Sequence, residues 1–292
     1  MIVQSGFDGS TFGPRTSPVI NAISMRAARI ALLVVPLSVG FGSRVPPAAS
    51  KPLAPPVVRC PPNAAPIPAG TFPIGTTRSQ DFDLDEQPRR MVTLTRAYCM
   101  DRTEVTVREY DDCVRSTACP ARKPFFAGDA LPMTNVSWHD ARLACAHRGG
   151  RLPTEVEWEH AARGGDDRLF PWGSWRPDCP YADVWGETWG GCGTFGPSPV
   201  GTASKGLSPF GMLDMAGNVL EWVDDAYDGK PWSALPTIDP HHVDAKARLR
   251  GVRGGSWDYD VVHSPRVSDR GGYPSELRDA TLGFRCAYDP LP

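Results

Sequence analysis

Eight cysteines are the residues of this 292-residue chain with the clearest capacity for chemistry. Thiolates bind soft metal ions and act as nucleophiles, and an even number of cysteines in an oxidising compartment pairs as disulfides. The positions are Cys60, Cys99, Cys113, Cys119, Cys145, Cys179, Cys192 and Cys286. No CxxC pair occurs among them, and the histidines are scattered, so the spacing favours disulfides over a zinc site. Because short loops close at the least entropic cost, Cys113–Cys119 and Cys179–Cys192 are favoured as local disulfides.

An apolar run near the N-terminus predicts export. Two arginines follow Met25, the apolar run covers Ile30–Val39, and small residues come next, which is the three-part pattern of a signal peptide. The sequence therefore predicts a start-site artefact over 1–24, an export signal over 25–50 and a Pro/Ala-rich linker over 51–65. The alternative is a membrane anchor, but the run is shorter than the ~20 residues that span a bilayer. Export would deliver the chain to the periplasm, the cell surface or the medium, where disulfides persist.

The composition excludes one class of partner and predicts an irregular fold. The net charge is −2, and no basic stripe is present that could release counterions from a nucleic acid. Residues of the hydrophobic class make up 41% of the chain, which is enough for a sizeable core. With 29 glycines and 31 prolines, the chain is expected to be rich in loops.

Alternation and capping signals place the first elements. Alternating apolar and polar residues predict strands within Ala69–Thr77 and Met91–Thr106. Thr106 and Glu109 have the spacing of a capping box and predict a helix over Val107–Val114.

Two further capping boxes predict two more helices. Ser137 with Asp140 opens a short helix, and Thr154 with Glu157 opens another with Trp158 on its buried side. From Leu169 to Trp257 the sequence shows almost no periodicity, which predicts irregular structure organised by disulfides or metal.

Seven motifs occur in the order found in formylglycine-generating enzymes, the sulfatase-modifying factor family, which this chain resembles. The motifs are "GTFPIGTT", "DEQPRRMVTLTRAYCMDRTEVTVREY", "NVSWHDARLACAHRGGRLPTEVEWEHAARGG", "LFPWG", "GLSPFGMLDMAGNVLEWVDD", "RGGSW" and "LGFRCA". The resemblance implies one α+β domain over 66–289, a variation of the C-type lectin fold with little regular secondary structure, stabilised by disulfides and calcium.

The resemblance also implies a catalytic loop. In the active enzymes, two cysteines after the "GGS" motif bind copper(I), and O2 is used to convert a sulfatase cysteine into formylglycine. Aligned on Gly254–Ser256, these cysteines fall on Tyr259 and Ser264, and no other cysteine lies between Cys192 and Cys286. Because copper(I) is a soft ion that requires soft sulfur ligands, the sequence predicts a protein without copper that does not catalyse this reaction. The expected function is then to bind a peptide, protein or glycan.

Two enzymatic alternatives stay open at this point. One is an active O2-dependent oxidase that makes formylglycine with a different metal. The other is a different oxidoreductase on the same scaffold, such as the iron-dependent sulfoxide synthases, which use a helical partner domain with a histidine triad. The only adjacent histidines here are His241 and His242 in "DPHHVD", which is expected to be a loop.

Part of the family's substrate groove is retained. The resemblance assigns four residues to it: Ser256, Trp257, Arg266 and Arg270. Two arginines in a groove could hold a carboxylate or an extended peptide. The alternative is that both arginines pair on the surface with neighbouring aspartates, namely Asp258, Asp260 and Asp269.

Calcium and two long-range disulfides are further implications of the resemblance. One calcium site would use the side chains of Asp214 and Glu221 with the carbonyls of Gly217 and Val219, a set of hard oxygen ligands. The alternative is that the two acids cap turns. Half of a second site corresponds to Asp183 and the Val184 carbonyl, but Cys192 stands where an aspartate is expected. A Cys179–Cys192 disulfide would then hold this loop in place of the second calcium ion. The resemblance pairs Cys145 with Cys286, which leaves Cys60 with Cys99.

Overall fold

The computed structural model describes residues 58–77, 84–174, 177–184, 192, 195–230, 232–258 and 265–291. All of them belong to a compact unit that covers 55–292. The helices are α1 Val107–Arg115, α2 Trp138–His147 and α3 Glu155–Arg163, with 3-10 turns at Leu84–Glu86 and Trp232–Ala234. The strands are β1 Ala64–Ile67, β2 Gly70–Ile74, β3 Arg90–Leu94, β4 Tyr98–Asp101, β5 Leu220–Tyr227, β6 Leu249–Arg253, β7 Gly271–Pro274, β8 Leu282–Gly283 and β9 Ala287–Tyr288.

The strands form small sheets, as expected for an α+β fold with little regular secondary structure. One sheet has the order β1-β4-β9, a second pairs β2 with β3, and a third has the order β7-β6-β5-β8. Every pairing is antiparallel except that of β5 with β8. The first strand begins at Ala64, inside the segment expected to be a linker.

All three helices begin at the capping boxes that the sequence predicts. In each box the N-cap hydroxyl accepts a hydrogen bond from the backbone N–H three residues later, and the acid at that position accepts one from the N-cap N–H. Six helix-end donors are thereby satisfied by contacts that span only three residues.

Helix α3 differs from the expected amphipathic helix, because all nine of its residues are buried. Its charged side chains are tolerated there because they pair: Glu159 accepts hydrogen bonds from Arg163 one turn later and from Arg253 on β6. Trp158 is fully buried, as predicted. The helix therefore lies in the centre of the molecule rather than on its surface.

The expectation that Leu169–Trp257 lacks regular structure was wrong, because this region holds β5 and β6. Six of the eight residues of β5 are buried, so the strand lacks the alternation of a strand with one solvent face. Two of the buried residues are Glu221 and Asp225. Because charged residues are expected on the surface, their presence makes the strand hard to recognise from the sequence.

Four disulfides join the eight cysteines in the expected pairs: Cys60–Cys99, Cys113–Cys119, Cys145–Cys286 and Cys179–Cys192. The third connects α2 to the strand region near the C-terminus and closes the largest loop. Four disulfides are typical of proteins in oxidising compartments. None of the helices in the described part of the chain has the length and apolar character needed to cross a membrane.

Candidate functional site

The loop after β6 begins with a backbone turn that only glycine adopts readily. Gly254 and Gly255 have φ values of 95° and 71°. Ser256 is fully buried, and the Trp257 N–H donates a hydrogen bond of 2.9 Å to the Asn218 carbonyl. This contact connects the start of the loop to the turn before β5. Tyr259, Asp260 and Ser264 lie outside the described residues.

Both groove arginines are held by buried glutamates rather than by surface aspartates alone. Arg266 is 6% exposed, and its Nη2 lies 2.6 Å from Glu86 Oε1 and 3.4 Å from an Asp269 carboxylate oxygen. Arg270 donates two hydrogen bonds of 2.7 and 2.8 Å to the two oxygens of Glu155.

The guanidinium of Arg270 also stacks on an aromatic ring. Its Cζ atom lies 3.9 Å from the centre of the Trp232 ring. The charge of this arginine is thereby directed into the protein, so the groove in its described part is less cationic than the sequence suggests. Of the three aspartates proposed as partners, Asp269 contacts Arg266.

An aromatic surface adjoins the same loop. The rings of Trp257 and Phe126 are 5.7 Å apart and meet edge to face. Phe125 precedes Phe126 in the chain, and Phe195 precedes Gly196, which lies against the Phe126 ring. Phe125 and Phe195 are 59% and 67% exposed. The Trp257 Nε1 atom is buried and has no hydrogen-bond acceptor among the described residues. Exposed aromatic rings are a feature of binding surfaces.

Behind this loop lies a buried ion pair at the predicted calcium turn. Glu221 and Arg285 are both fully buried, and Arg285 donates hydrogen bonds of 2.7 and 2.6 Å to the two Glu221 oxygens. Trp158 Nε1 donates a third hydrogen bond of 2.8 Å. Burying either charge without the other would be costly, so the pair holds β5 against the C-terminal segment.

Two more buried acids lie beside this pair. Asp214 is 5% exposed and accepts a 2.6 Å hydrogen bond from the Gly201 N–H, and Glu104 is 1% exposed. Burial raises the pKa of Glu104 well above its ordinary value, and the neighbouring Asp214 charge raises it further. The pKa of Asp214 is also raised, chiefly by burial.

The backbone of the turn has an unusual conformation. Asp214, Gly217 and Asn218 have φ values of 56°, 84° and 59°, a conformation that non-glycine residues rarely adopt. Among the described residues, no group of three or more His, Cys, Asp or Glu side chains is arranged to hold a metal ion. Backbone carbonyls must therefore supply part of any cation site here, and the Gly217 and Val219 carbonyls belong to this turn. The carboxylate of Asp214 and these carbonyls are hard oxygen donors of the kind that calcium prefers.

The second calcium half-site does not fit a cation. The carboxylate of Asp183 accepts hydrogen bonds from the Cys192 N–H at 3.1 Å and from the Ser198 N–H and hydroxyl at 3.0 and 2.6 Å. The Asp183 carbonyl accepts a 2.7 Å bond from the Asn218 N–H. Backbone and hydroxyl donors therefore satisfy this acid where the family would use a metal.

Copper(I) does not fit the available donors either. Each of the eight thiols is part of a disulfide, so no thiolate remains as a ligand for a soft ion.

The adjacent histidines of "DPHHVD" lie in a loop, as predicted, and His241 lines a separate cleft of about 270 Å³. His241 Nε2 lies 3.3 Å from Asp224 Oδ2 and 3.9 Å from Asp225 Oδ2. The hydrogen bond to Asp224 raises the pKa of His241, and burial raises the pKa of Asp225 to about 7.

Sequence reasoning missed Glu104, Glu86 and Arg285 as members of this region. One signal was available for Arg285, because it lies between Phe284 and Cys286 in an apolar motif. A charge in such surroundings is buried and requires a charged partner.

Comparisons with known proteins agree with this architecture. Residues 51–290 match the sulfatase-modifying factor enzyme 1-like domain family. The formylglycine-generating enzyme of Bos taurus is 30% identical over 80% of this chain and 76% of its own length. The inactive C-alpha-formylglycine-generating enzyme 2 of Bos taurus is 36% identical over 54% of this chain, and the alignment spans half of that relative.

A solved structure is similar over most of the domain. PvdO from Pseudomonas aeruginosa superposes with a TM-score of 0.66 at 27% identity, covering 77% of this chain and 94% of PvdO. The match in sequence, the order of the motifs and the common fold together show that this chain belongs to the sulfatase-modifying factor enzyme 1-like domain family.

Proposed function

We propose that this protein is an exported, non-catalytic member of its family that binds a peptide, protein or glycan. The observation that carries the proposal is the state of the thiols: all eight are in disulfides, and the two copper-ligand positions carry Tyr259 and Ser264. A phenol and a hydroxyl do not replace thiolates as copper(I) ligands. Neither residue can form a mixed disulfide with a substrate cysteine.

The identity to relatives does not choose between an active and an inactive protein. The chain is 36% identical both to an inactive relative in Bos taurus and to the formylglycine-generating enzyme of Streptomyces coelicolor. These alignments cover about half of each relative, so the activity of the whole protein has to be argued from residues. The missing thiols support a binding role.

The surface around Ser256–Arg270 is the proposed binding face. Arg266 and Arg270 are engaged by Glu86 and Glu155, so recognition does not depend on a free cationic clamp. Exposed Phe125 and Phe195, with the edge-to-face pair of Trp257 and Phe126 beside them, offer aromatic rings on this face. A partner with apolar groups fits this chemistry.

Calcium has a structural role in the proposal. It would be held by the Asp214 carboxylate and by the carbonyls of Gly217 and Val219, where it supplies positive charge to a buried acidic turn. The turn contacts the binding loop through Asn218 and Trp257, so calcium would stabilise the base of the binding face. The two Glu221 oxygens already accept hydrogen bonds from three N–H donors. A direct bond from Glu221 to calcium therefore stays a prediction.

The test is an activity assay on the intact protein. After loading with copper(I), the protein is incubated with a CxPxR peptide in the presence of O2, and the peptide mass is measured. No formylglycine is expected from the unmodified protein, and turnover would overturn the proposal. The double variant Tyr259→Cys with Ser264→Cys tests the surrounding loop: gained copper binding and turnover would show that only the metal ligands were lost.

A further inference from the structure

One of the four disulfides is open to solvent. All eight cysteines lie within the described residues, and Cys179 alone among them is exposed, while its partner Cys192 is half-buried. Both members of Cys113–Cys119 and of Cys145–Cys286 are buried. Thiol–disulfide exchange requires access of a thiolate to a sulfur atom, so a buried disulfide reacts only after the protein opens locally. Cys179–Cys192 is therefore the disulfide that a reductant reaches most readily in the folded protein.

The surroundings of Cys192 suit the leaving sulfur of such an exchange. Its Sγ lies 3.5 Å from the Ala182 carbonyl oxygen, so a thiol formed at this position has a hydrogen-bond acceptor. The more exposed sulfur, that of Cys179, is the one that an incoming thiolate meets first. Attack at Cys179 therefore releases a Cys192 thiol that the folded protein already accommodates.

Hydrogen bonds connect this disulfide to the loop after β6. The Cys192 N–H donates to the carboxylate of Asp183, which is 4% exposed and also accepts hydrogen bonds from the Ser198 N–H and hydroxyl. The Asp183 carbonyl accepts a 2.7 Å hydrogen bond from the Asn218 N–H, and the Asn218 carbonyl accepts one from the Trp257 N–H. The disulfide thus holds one donor of a network that reaches the start of the loop.

We propose that Cys179–Cys192 is a site of reversible thiol–disulfide exchange with an external dithiol, and that the intact bond holds the Cys192 N–H on Asp183. A thiolate of the dithiol attacks Cys179 Sγ, the bond between the two cysteines breaks, and Cys192 leaves as a thiolate that takes up a proton. The second thiolate of the dithiol attacks its own sulfur in the mixed disulfide and releases Cys179. Two electrons pass to the protein, which gains two thiols, while the dithiol becomes a disulfide. The site is independent of the binding role proposed above, because it needs no bound partner.

The first experiment measures the reduction of each disulfide in the folded protein. The full disulfide-bonded chain is treated with dithiothreitol without denaturant, new thiols are alkylated at successive times, and peptide masses assign them. Thiols from Cys179–Cys192 are expected to form at least about tenfold faster than those from Cys113–Cys119, which also closes a short loop but is buried and serves as the matched control. Equal rates, or earlier reduction of the control pair, would overturn the proposal. Glutathione disulfide added after removal of dithiothreitol should restore the bond, and failure to re-form it would show that the exchange is not reversible.

The second experiment tests the connection to Asp183 by hydrogen–deuterium exchange. The variant Cys179→Ala with Cys192→Ala is compared with the unmodified protein and with a control variant in which alanines replace Cys113–Cys119. Slow exchange retained in β5 and β6 would show that each variant is folded.

The amides of Ser198 and Asn218 report on Asp183, because both donate hydrogen bonds to it. They are expected to exchange faster in the variant without Cys179–Cys192 and at the unmodified rate in the control. Unchanged exchange of these two amides in both variants would refute the coupling between the disulfide and Asp183. Neither experiment contains a binding partner, so a failure of the proposed binding role would leave both results as they are.

Discussion

Removing the Cys145–Cys286 disulfide should destabilise this domain more than removing any local crosslink. The two cysteines are 141 positions apart, and both are fully buried. In the chain-entropy treatment of crosslinks, a loop of this length corresponds to about 5 kcal/mol of stability at 25 °C. The Cys113–Cys119 disulfide closes a separation of only 6 positions and corresponds to about 2.3 kcal/mol by the same relation.

The assay compares two double-alanine variants by denaturant unfolding, with the other three disulfides intact. The variant at Cys145 and Cys286 is expected to lose about 5 kcal/mol, and the variant at Cys113 and Cys119 about half as much. For a domain of this size, the larger loss corresponds to a drop in Tm of roughly 10 to 20 °C. Cys113 and Cys119 are also buried, so the pairs are comparable in packing.

Equal losses in the two variants would refute the reasoning, because packing rather than loop closure would then determine the contribution of each crosslink. A change of the denaturant slope in only one variant would show that its unfolded state had expanded, which is the effect the argument requires.

Three further predictions concern buried charges and thiols. Glu221→Gln should cost about 3 to 5 kcal/mol in unfolding experiments, because Arg285 is left as an unpaired buried charge, and a replacement of both residues by apolar ones should recover most of the loss. The hydrogen bond to Asp224 raises the pKa of His241, so the stabilising contribution of His241 is complete below about pH 6.5 and is lost as pH rises through the folded-state pKa. His241→Gln should therefore flatten the dependence of Tm on pH above about pH 6.5. A pH profile of Tm that is unchanged in this variant would contradict the prediction. Thiol titration of the denatured protein should detect no free thiol before reduction and all eight cysteines after it.

Local features of this protein could be predicted from the sequence because they depend on residues close together in the chain. The capping boxes at Thr106, Ser137 and Thr154 each need only an acid three positions later, so the starts of all three helices were confirmed. The absence of thiols at positions 259 and 264 is likewise a property of the sequence. The strand β5 could not be predicted, because its buried acids do not follow an alternating pattern.

The partners of the buried charges were decided only by the tertiary structure. Arg266 and Glu86 are 180 positions apart, and Glu104 and Asn218 are 114 apart, so nothing in the neighbouring sequence connects them. A buried charge requires a partner of opposite charge, but the sequence alone does not show which acid of this chain pairs with which arginine. The sequence therefore determined that positions 259 and 264 carry no thiol, whereas folding determined that Glu104 contacts Asn218 and that Glu221 faces Arg285, because only chain closure brings these groups together.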